Sequence, residues 1–176
     1  MFQMREFIVN NSQKLSKMTT EIEHKYLVID QSYETMATEC HRIMQGYLST
    51  ECDRTVRVRT YDNRGFVTIK SRNKGASRME FEYEIPYDDA ALMLNELCLQ
   101  PIIDKYRYIV HFDGEKWEVD RFEGHLHGLV MAEIEIPDEE HTYSLPPFVG
   151  KNVTGDARYY NSCLSTATSM PCDEQK

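Results

Sequence analysis

Charged residues alternate with apolar or aromatic residues in seven separate segments of this chain. The segments cover residues 21–25, 57–59, 70–72, 80–84, 105–107, 118–120 and 133–135. A period of two is that of a β-strand, in which successive side chains point to opposite faces. In an ordinary sandwich the charged residues would face water and the apolar ones the core. Here the charge is too dense and too mixed in sign for that arrangement. This favours strands that close into a barrel whose polar interior holds both basic and acidic groups.

Turn signals between these segments predict one domain built mainly of antiparallel strands. We predict strands over residues 20–29, 40–49, 53–61, 65–73, 78–86, 102–112, 115–122 and 129–136, and helices over 32–38, 87–97 and 157–165. The linkers are short, and short linkers favour antiparallel pairing. The predicted fold class is α+β dominated by β: an eight-stranded antiparallel closed β-barrel with short helices packed outside.

Bulk properties limit the partners and the compartment. The 176 residues carry a net charge of -9, which argues against binding to a nucleic acid polymer or an anionic membrane. No apolar run approaches the length of about eighteen residues that spans a bilayer. The five cysteines include no CxxC pair and are typical of reduced thiols, so a cytoplasmic location is predicted. The oligomeric state stays open, a homodimer included.

The two ends of the chain are predicted to lie outside the folded domain. Met18, Thr19 and Thr20 come directly before the first charged strand, and the C-terminal residues are polar with one proline. We therefore expect a loosely ordered extension over residues 1–18, a folded domain over 19–166 and a flexible tail over 167–176.

The charged strands suit a polyphosphate and its accompanying cations. Arginine offers a planar fork for phosphate oxygens and lysine a point charge. Mg²⁺ is typically held by one or two carboxylates together with substrate phosphates. The alternative is a solvated surface of cross-strand salt bridges, each worth little. That alternative is the better explanation for any single pair, but not for seven segments that would all need the same solvated face.

Nine ordered motifs resemble those of the CYTH superfamily, the triphosphate tunnel metalloenzymes. They span about residues 19–164 and comprise Glu21-Ile22-Glu23-His24-Lys25-Tyr26-Leu27 (ExExK), Gln45-Gly46-Tyr47-Leu48, Val56-Arg57-Val58-Arg59, Thr68-Ile69-Lys70, Gly75-Ala76-Ser77-Arg78-Met79-Glu80-Phe81-Glu82, Lys105-Tyr106-Arg107, Trp117-Glu118-Val119-Asp120, Ala132-Glu133-Ile134-Glu135 and Val153-Thr154-Gly155-Asp156…Arg158-Tyr159-Tyr160-Asn161. ExExK alone is a weak match, but nine pieces in the same order are specific.

The resemblance implies a tunnel that binds a triphosphate together with Mg²⁺ or Mn²⁺. The implied metal ligands are Glu21, Glu23, Glu82, Asp120, Glu133 and Glu135. The implied phosphate ligands are Arg57, Arg59, Lys70, Arg78, Lys105 and Arg107. Lys25 and Tyr47 are the implied catalytic residues near the attacked phosphorus, and a lowered pKa would let Lys25 help position or deprotonate the attacking water.

The activity implied by this resemblance is hydrolysis of a small triphosphate by in-line attack of a metal-activated water on the terminal phosphorus. Inorganic tripolyphosphate is the favoured substrate, because the compact chain has no obvious base-binding segment. Three alternatives stay open at this point: a class IV adenylyl cyclase that makes cyclic AMP from ATP, a thiamine triphosphatase, and a non-catalytic binder of polyphosphate or nucleotide.

Overall fold

The computed structural model describes residues 22–51, 53–72 and 79–171, and nine strands form one antiparallel sheet within them. The strands are β1 (Ile22–Val28), β2 (Ala37–Ser49), β3 (Arg54–Tyr61), β4 (Arg64–Ser71), β5 (Glu80–Ile85), β6 (Ile103–Phe112), β7 (Glu115–Phe122), β8 (Val130–Ile136) and β9 (Val149–Asn152). Their order across the sheet is β5-β4-β3-β2-β6-β7-β8-β1-β9. The helices are α1 (Ser32–Met36), α2 (Tyr87–Glu96) and α3 (Asn161–Leu164), with single 3-10 turns at Gly124–Leu126 and Ala157–Tyr159.

This architecture confirms the predicted fold class and differs from the prediction in two details. Strand β9 was not predicted, because four residues are too few to show an alternating pattern. In the described residues, hydrogen bonds do not join the edge strands β5 and β9, so the sheet curls without a continuous ladder around it. Gly150 lets β9 approach β1, since a Cβ there would lie 2.4 Å from the Ile29 side chain.

The apolar side chains of the strands pack in three clusters. One covers the outer face of β1, β6, β7 and β8, and its members are Tyr26, Tyr33, Val110, Trp117, Val119, Ala132, Ile134, Ile136 and Phe148. A second fills one end of the curled sheet with Ile103, Phe122, Leu126, Leu129, Met131, Val153, Tyr159 and Leu164. The third places α2 against β3 through Val58, Ala90, Leu94 and Cys98. Because the outer faces bury apolar residues, the charged alternates face inward.

Several predictions fall on residues outside the described ranges. These are the extension over residues 1–18, the end of the tail at 172–176, and the site residues Glu21 and Arg78. The domain boundaries at 19 and 166 therefore stay predictions. Among the described helices, none combines the length and the apolar character that crossing a bilayer requires.

Candidate active site

One cavity of about 620 Å³ lies inside the curled sheet and takes lining residues from each of the strands β1 to β8. Its basic lining residues are Lys25, Arg57, Arg59, Lys70, Lys105, Arg107 and Lys116. Its acidic lining residues are Glu23, Glu80, Glu82, Glu118, Glu133 and Glu135. The alternation of each strand brings these groups together, because every second residue faces the interior. Seven basic and six acidic side chains thus surround one space.

The cavity has two walls that differ in their support. We call β1, β6, β7 and β8 the packed wall, because the cluster around Trp117 covers their outer faces. We call β3, β4 and β5 the open wall. Helix α2 covers only part of its outer face, where Val58 is buried, and the outward residues Ile69, Phe81 and Tyr83 are 41%, 39% and 57% exposed. Strand β2 lies between the two walls in the sheet.

On the packed wall, Lys25 bridges two carboxylates. Lys25 on β1 is the register partner of Glu133 on β8, and its Nζ donates to Glu133 and, at 2.8 Å, to Glu23. Burial alone would lower the pKa of Lys25, but these two carboxylates outweigh burial and raise it above the ordinary lysine value. In this arrangement the pKa of Lys25 is raised rather than lowered, so the condition under which Lys25 would deprotonate the attacking water is not met.

The carboxyl groups of Glu23 and Glu133 lie close together, because both accept a hydrogen bond from Lys25 Nζ. Loss of surrounding water and the neighbouring Glu133 charge raise the pKa of Glu23 to about 7, although Lys25 acts in the opposite direction. Burial would raise the pKa of Glu133, but Lys25 and Arg107 hold it well below the usual range. Two close carboxylates in a cavity are a site that favours added positive charge.

A second buried set holds the basic groups of β6. Arg107 donates to Asp120 through Nε at 2.7 Å and through Nη2 at 2.6 Å, and Lys105 Nζ also donates to Asp120. The side chains of Lys105 and Asp120 are each 1% exposed. Burial would raise the pKa of Asp120, but Arg107 and Lys105 outweigh it and lower the pKa. Asp120 thus fixes the position of two cations at the cavity.

On the open wall, two arginines share one carboxylate. Arg59 Nη2 lies 3.0 Å from both oxygens of Glu82, and Arg57 Nη2 lies 3.3 Å from Glu82 Oε2 and 3.0 Å from Thr68 Oγ1. The Nε groups of both arginines are buried without a hydrogen-bond partner among the described residues. Lys70 pairs with Glu80 at 2.7 Å. The two arginines therefore offer more donors than Glu82 and Thr68 can accept, as an anion site requires.

The structure brings most of the predicted site residues to this cavity. Those that line it are Glu23, Lys25, Tyr47, Arg57, Arg59, Lys70, Glu82, Lys105, Arg107, Glu133 and Glu135. Asp120 is not among the lining residues, because it lies behind Lys105 and Arg107. The roles of all these residues stay predictions, as do those of Glu21 and Arg78 outside the described ranges.

Several lining residues were not among the predicted site residues. Lys116 lies two residues before Glu118 on β7 and donates to it at 2.7 Å; the same alternation could have identified it. Five more lie on the strands: Ile43, Gln45, Thr55, Glu80 and Glu118. A last group follows β9, and its members are Thr154, Gly155, Tyr160, Asn161 and Ser162. The only sequence signal for that group was the last of the nine motifs, which carried no assigned role.

The carboxylates of the packed wall fit a hard divalent cation in their chemistry. Glu23, Glu133 and Glu135 present oxygen ligands, and two of the three carboxyl groups already meet. Across residues 22–51, 53–72 and 79–171, no three His, Cys, Asp or Glu side chains are gathered as a complete metal site. Mg²⁺ suits such a partial set, since it usually keeps waters and takes further ligands from substrate phosphates.

The antiparallel sheet curls around converging arginines, lysines and carboxylates. This arrangement is typical of proteins that bind a polyanion together with a cation in a tunnel. Comparison with known proteins gives the family. The family model described as the CYTH domain matches residues 19–160. The chain therefore belongs to the CYTH domain family.

Two curated relatives share most of this chain. An inorganic triphosphatase of Acetivibrio thermocellus is 45% identical over 147 residues, which cover 84% of this chain and 94% of the relative. An inorganic triphosphatase of Nitrosomonas europaea is 35% identical over 156 residues, which cover 86% of this chain and 99% of the relative.

Solved structures agree with this assignment. A crystal structure of an inorganic triphosphatase superposes with a TM-score of 0.63 at 33% identity, covering 88% of this chain and 99% of that chain. A Hippeastrum protein, described as an adenylyl cyclase candidate with a dominant triphosphatase activity, has a TM-score of 0.51 at 16% identity and covers 67% of this chain and 80% of that chain. At that identity the second likeness shows the fold alone.

Proposed function

We propose that this protein hydrolyses inorganic triphosphate with the help of Mg²⁺ or Mn²⁺. The observation that carries the proposal is the cavity itself, in which seven basic side chains face the close carboxylates Glu23 and Glu133. A triphosphate is charged along its whole length, so it needs cations from several directions. Two relatives that cover most of this chain are inorganic triphosphatases, which supports the same substrate.

The basic residues would bind and orient the phosphate chain. Arg57 and Arg59 on the open wall line the cavity and would bind oxygens from one side. Lys105 and Arg107, fixed by Asp120, would bind from the packed wall. Lys25 would hold the terminal phosphate beside the two carboxylates, and Tyr47, 4% exposed at the same cavity, would limit its movement.

We assign the divalent cation to Glu23, Glu133 and Glu135, and we retain Glu21 from the sequence motif. When bound, the cation supplies positive charge at the phosphate oxygens and lowers the pKa of a bound water toward neutrality. Asp120 and Glu82 serve differently in this proposal, because their oxygens accept hydrogen bonds from the basic residues. The protein positions the phosphates and the carboxylates on rigid strands, so little rearrangement is needed.

The test is phosphate release from tripolyphosphate, ATP and thiamine triphosphate, each with Mg²⁺, with Mn²⁺ and with EDTA. We expect release from tripolyphosphate to be fastest and to stop with EDTA. The double variant Glu23→Gln/Glu133→Gln should lose at least about a hundredfold in kcat, the typical effect of removing a preorganised electrostatic contact. Glu84→Gln is the matched control, because Glu84 does not line the cavity and pairs with Arg64 at 2.6 Å.

The same assay separates the alternatives. Cyclic AMP from ATP, with pyrophosphate, would replace the proposal with an adenylyl cyclase. Preference for thiamine triphosphate would change the assigned substrate but not the type of reaction. Tight binding of tripolyphosphate without release of phosphate under any metal would make the protein a binder.

A further inference from the structure

Residues 153–162 form a stretch after β9 that we call the closing segment, and it is held at both ends. At its start, the Val153 backbone N–H donates to Lys25 O at 2.9 Å, and the Lys25 N–H donates to Thr154 Oγ1 at 2.9 Å. Toward its end, Tyr159 is 2% exposed in the apolar cluster that fills one end of the sheet, and Leu164 is buried just beyond it. The segment is therefore a fixed part of the cavity rather than a loose loop.

The closing segment forms an uncharged side of a charged cavity. The residues that it contributes to the lining are Thr154, Gly155, Tyr160, Asn161 and Ser162. The seven basic and six acidic lining residues all come from the strands. A phosphate chain is bound by opposite charge, so its phosphates belong on the strands. Whatever extends from the phosphates toward the closing segment meets a neutral surface.

Tyr160 is the largest side chain on that surface. Among the described lining residues, Tyr47 and Tyr160 are the only aromatic ones, and their exposed fractions are 4% and 40%. A nucleotide base is normally held by stacking on an accessible ring together with polar contacts at its edge. Tyr160 is a single ring on a fixed segment, so a base stacked on it would have no second aromatic ring on its other side. Its exposed ring lines the uncharged side of the cavity, toward which a group attached to the phosphates would extend.

We propose that the closing segment determines substrate size, with Tyr160 as the specificity-determining residue that excludes a nucleoside attached to the triphosphate. This inference rests on the proposed function and deepens it, because it names the residue that favours inorganic triphosphate over nucleoside triphosphates. Thr154 and Val153 keep Tyr160 in place by tying the segment to the backbone of Lys25.

The experiment compares kcat/KM for tripolyphosphate and for ATP in wild type, Tyr160→Ala and Tyr160→Phe. We expect Tyr160→Ala to raise the ratio of ATP to tripolyphosphate at least about tenfold, since a steric block of about 1.4 kcal/mol would be removed. Tyr160→Phe keeps the ring and should keep the wild-type ratio. Tyr87→Ala is a matched control, because Tyr87 is 42% exposed but does not line this cavity, and its ratio should also stay unchanged.

Two results would overturn the inference while leaving the proposed function intact. An unchanged ratio in Tyr160→Ala would show that the ring excludes nothing. A selective loss of ATP turnover would show that the ring supports the base instead. If wild type releases no phosphate from tripolyphosphate, the proposed function fails separately. The same variants are then compared by calorimetric binding of ATP and tripolyphosphate, with the same expected change in ratio and the same overturning results.

Discussion

Asp120 and Glu82 each hold two basic side chains at the cavity, but they do so in different surroundings. The Asp120 side chain on the packed wall is 1% exposed, whereas the Glu82 side chain on the open wall is 31% exposed. Separated buried charges are costly, so Lys105 and Arg107 are bound to Asp120 in one arrangement. Glu82 keeps contact with water, so Arg57 and Arg59 can exchange it for a substrate oxygen at lower cost.

The difference between the walls arises from their outer faces. The packed wall carries Trp117, Ile134 and other buried side chains behind its charges. The open wall has Phe81 and Tyr83 exposed on its outer face. We infer that the packed wall provides a rigid site for the reacting phosphate. The open wall would bind the other phosphates of the substrate through side chains that can rearrange.

Removal of Asp120 should have the largest effect on stability, because it affects the buried charges of the packed wall. Asp120→Ala leaves Lys105 and Arg107 without their shared buried carboxylate, so we expect the free energy of unfolding to fall by about 3–5 kcal/mol. Urea denaturation measures this. Glu84→Gln breaks an exposed pair with Arg64 and should leave the free energy of unfolding nearly unchanged.

If Asp120→Ala does not fold, Asp120→Asn keeps the shape and removes the charge, and it should still be less stable than Glu84→Gln. Equal stabilities for the Asp120 and Glu84 variants would contradict the distinction between the two walls.

Glu82→Gln tests whether Arg57 and Arg59 of the open wall exchange Glu82 for the substrate. Removing the charge frees Arg57 and Arg59 for phosphate, so we expect tripolyphosphate to bind about fivefold more tightly, an effect of about 1 kcal/mol. Isothermal titration with tripolyphosphate, in the absence of turnover because EDTA is present, measures the affinity. Weaker binding would show that Glu82 organises the arginines rather than competing for them.

Thr154→Val tests the support of β1 from the side of β9. The variant keeps the shape of threonine but loses the acceptor for the Lys25 N–H, so we expect kcat for tripolyphosphate to fall about fivefold, as the loss of about 1 kcal/mol implies. Thr154→Ser keeps the hydroxyl and should recover most of kcat. A change in thermal stability without a change in kcat would assign Thr154 a structural role alone.

Period-two patterning predicted the strands that carry the site, because inward charge and outward apolar packing both follow from one alternation. It placed Arg57 and Arg59 in the polar interior, and both line the cavity. The partners of each group could not be predicted. That Lys25 is bridged between Glu23 and Glu133 depends on the register of β1 against β8, which no local pattern encodes. Patterning also did not predict that the closing segment lines the cavity, since its residues show no period and it contributes no charged residue to the lining.

His41 connects β2 with the β3–β4 turn, and we expect its protonation to have only a small effect on stability. His41 on β2 bonds Asp62, in the β3–β4 turn, through Nδ1 at 2.7 Å and Glu39 through Nε2 at 2.9 Å, and it packs on the Tyr61 ring. Burial would lower the pKa of His41, but the hydrogen bonds and charges of Asp62 and Glu39 outweigh burial and raise it. A raised pKa in the folded state means that the protonated form stabilises the fold.

This stabilisation is fully present below the ordinary histidine pKa of about 6.5 and is lost as the pH rises through the higher pKa of the folded protein. We expect less than about 1 kcal/mol, because the groups are partly exposed. Unfolding free energies of wild type and His41→Gln from about pH 5 to about pH 9 measure it, since His41 links β2 to the β3–β4 turn and the variant lacks its titration. If the difference between the two proteins does not shrink as the pH rises, Asp62 and Glu39 do not depend on a charged histidine.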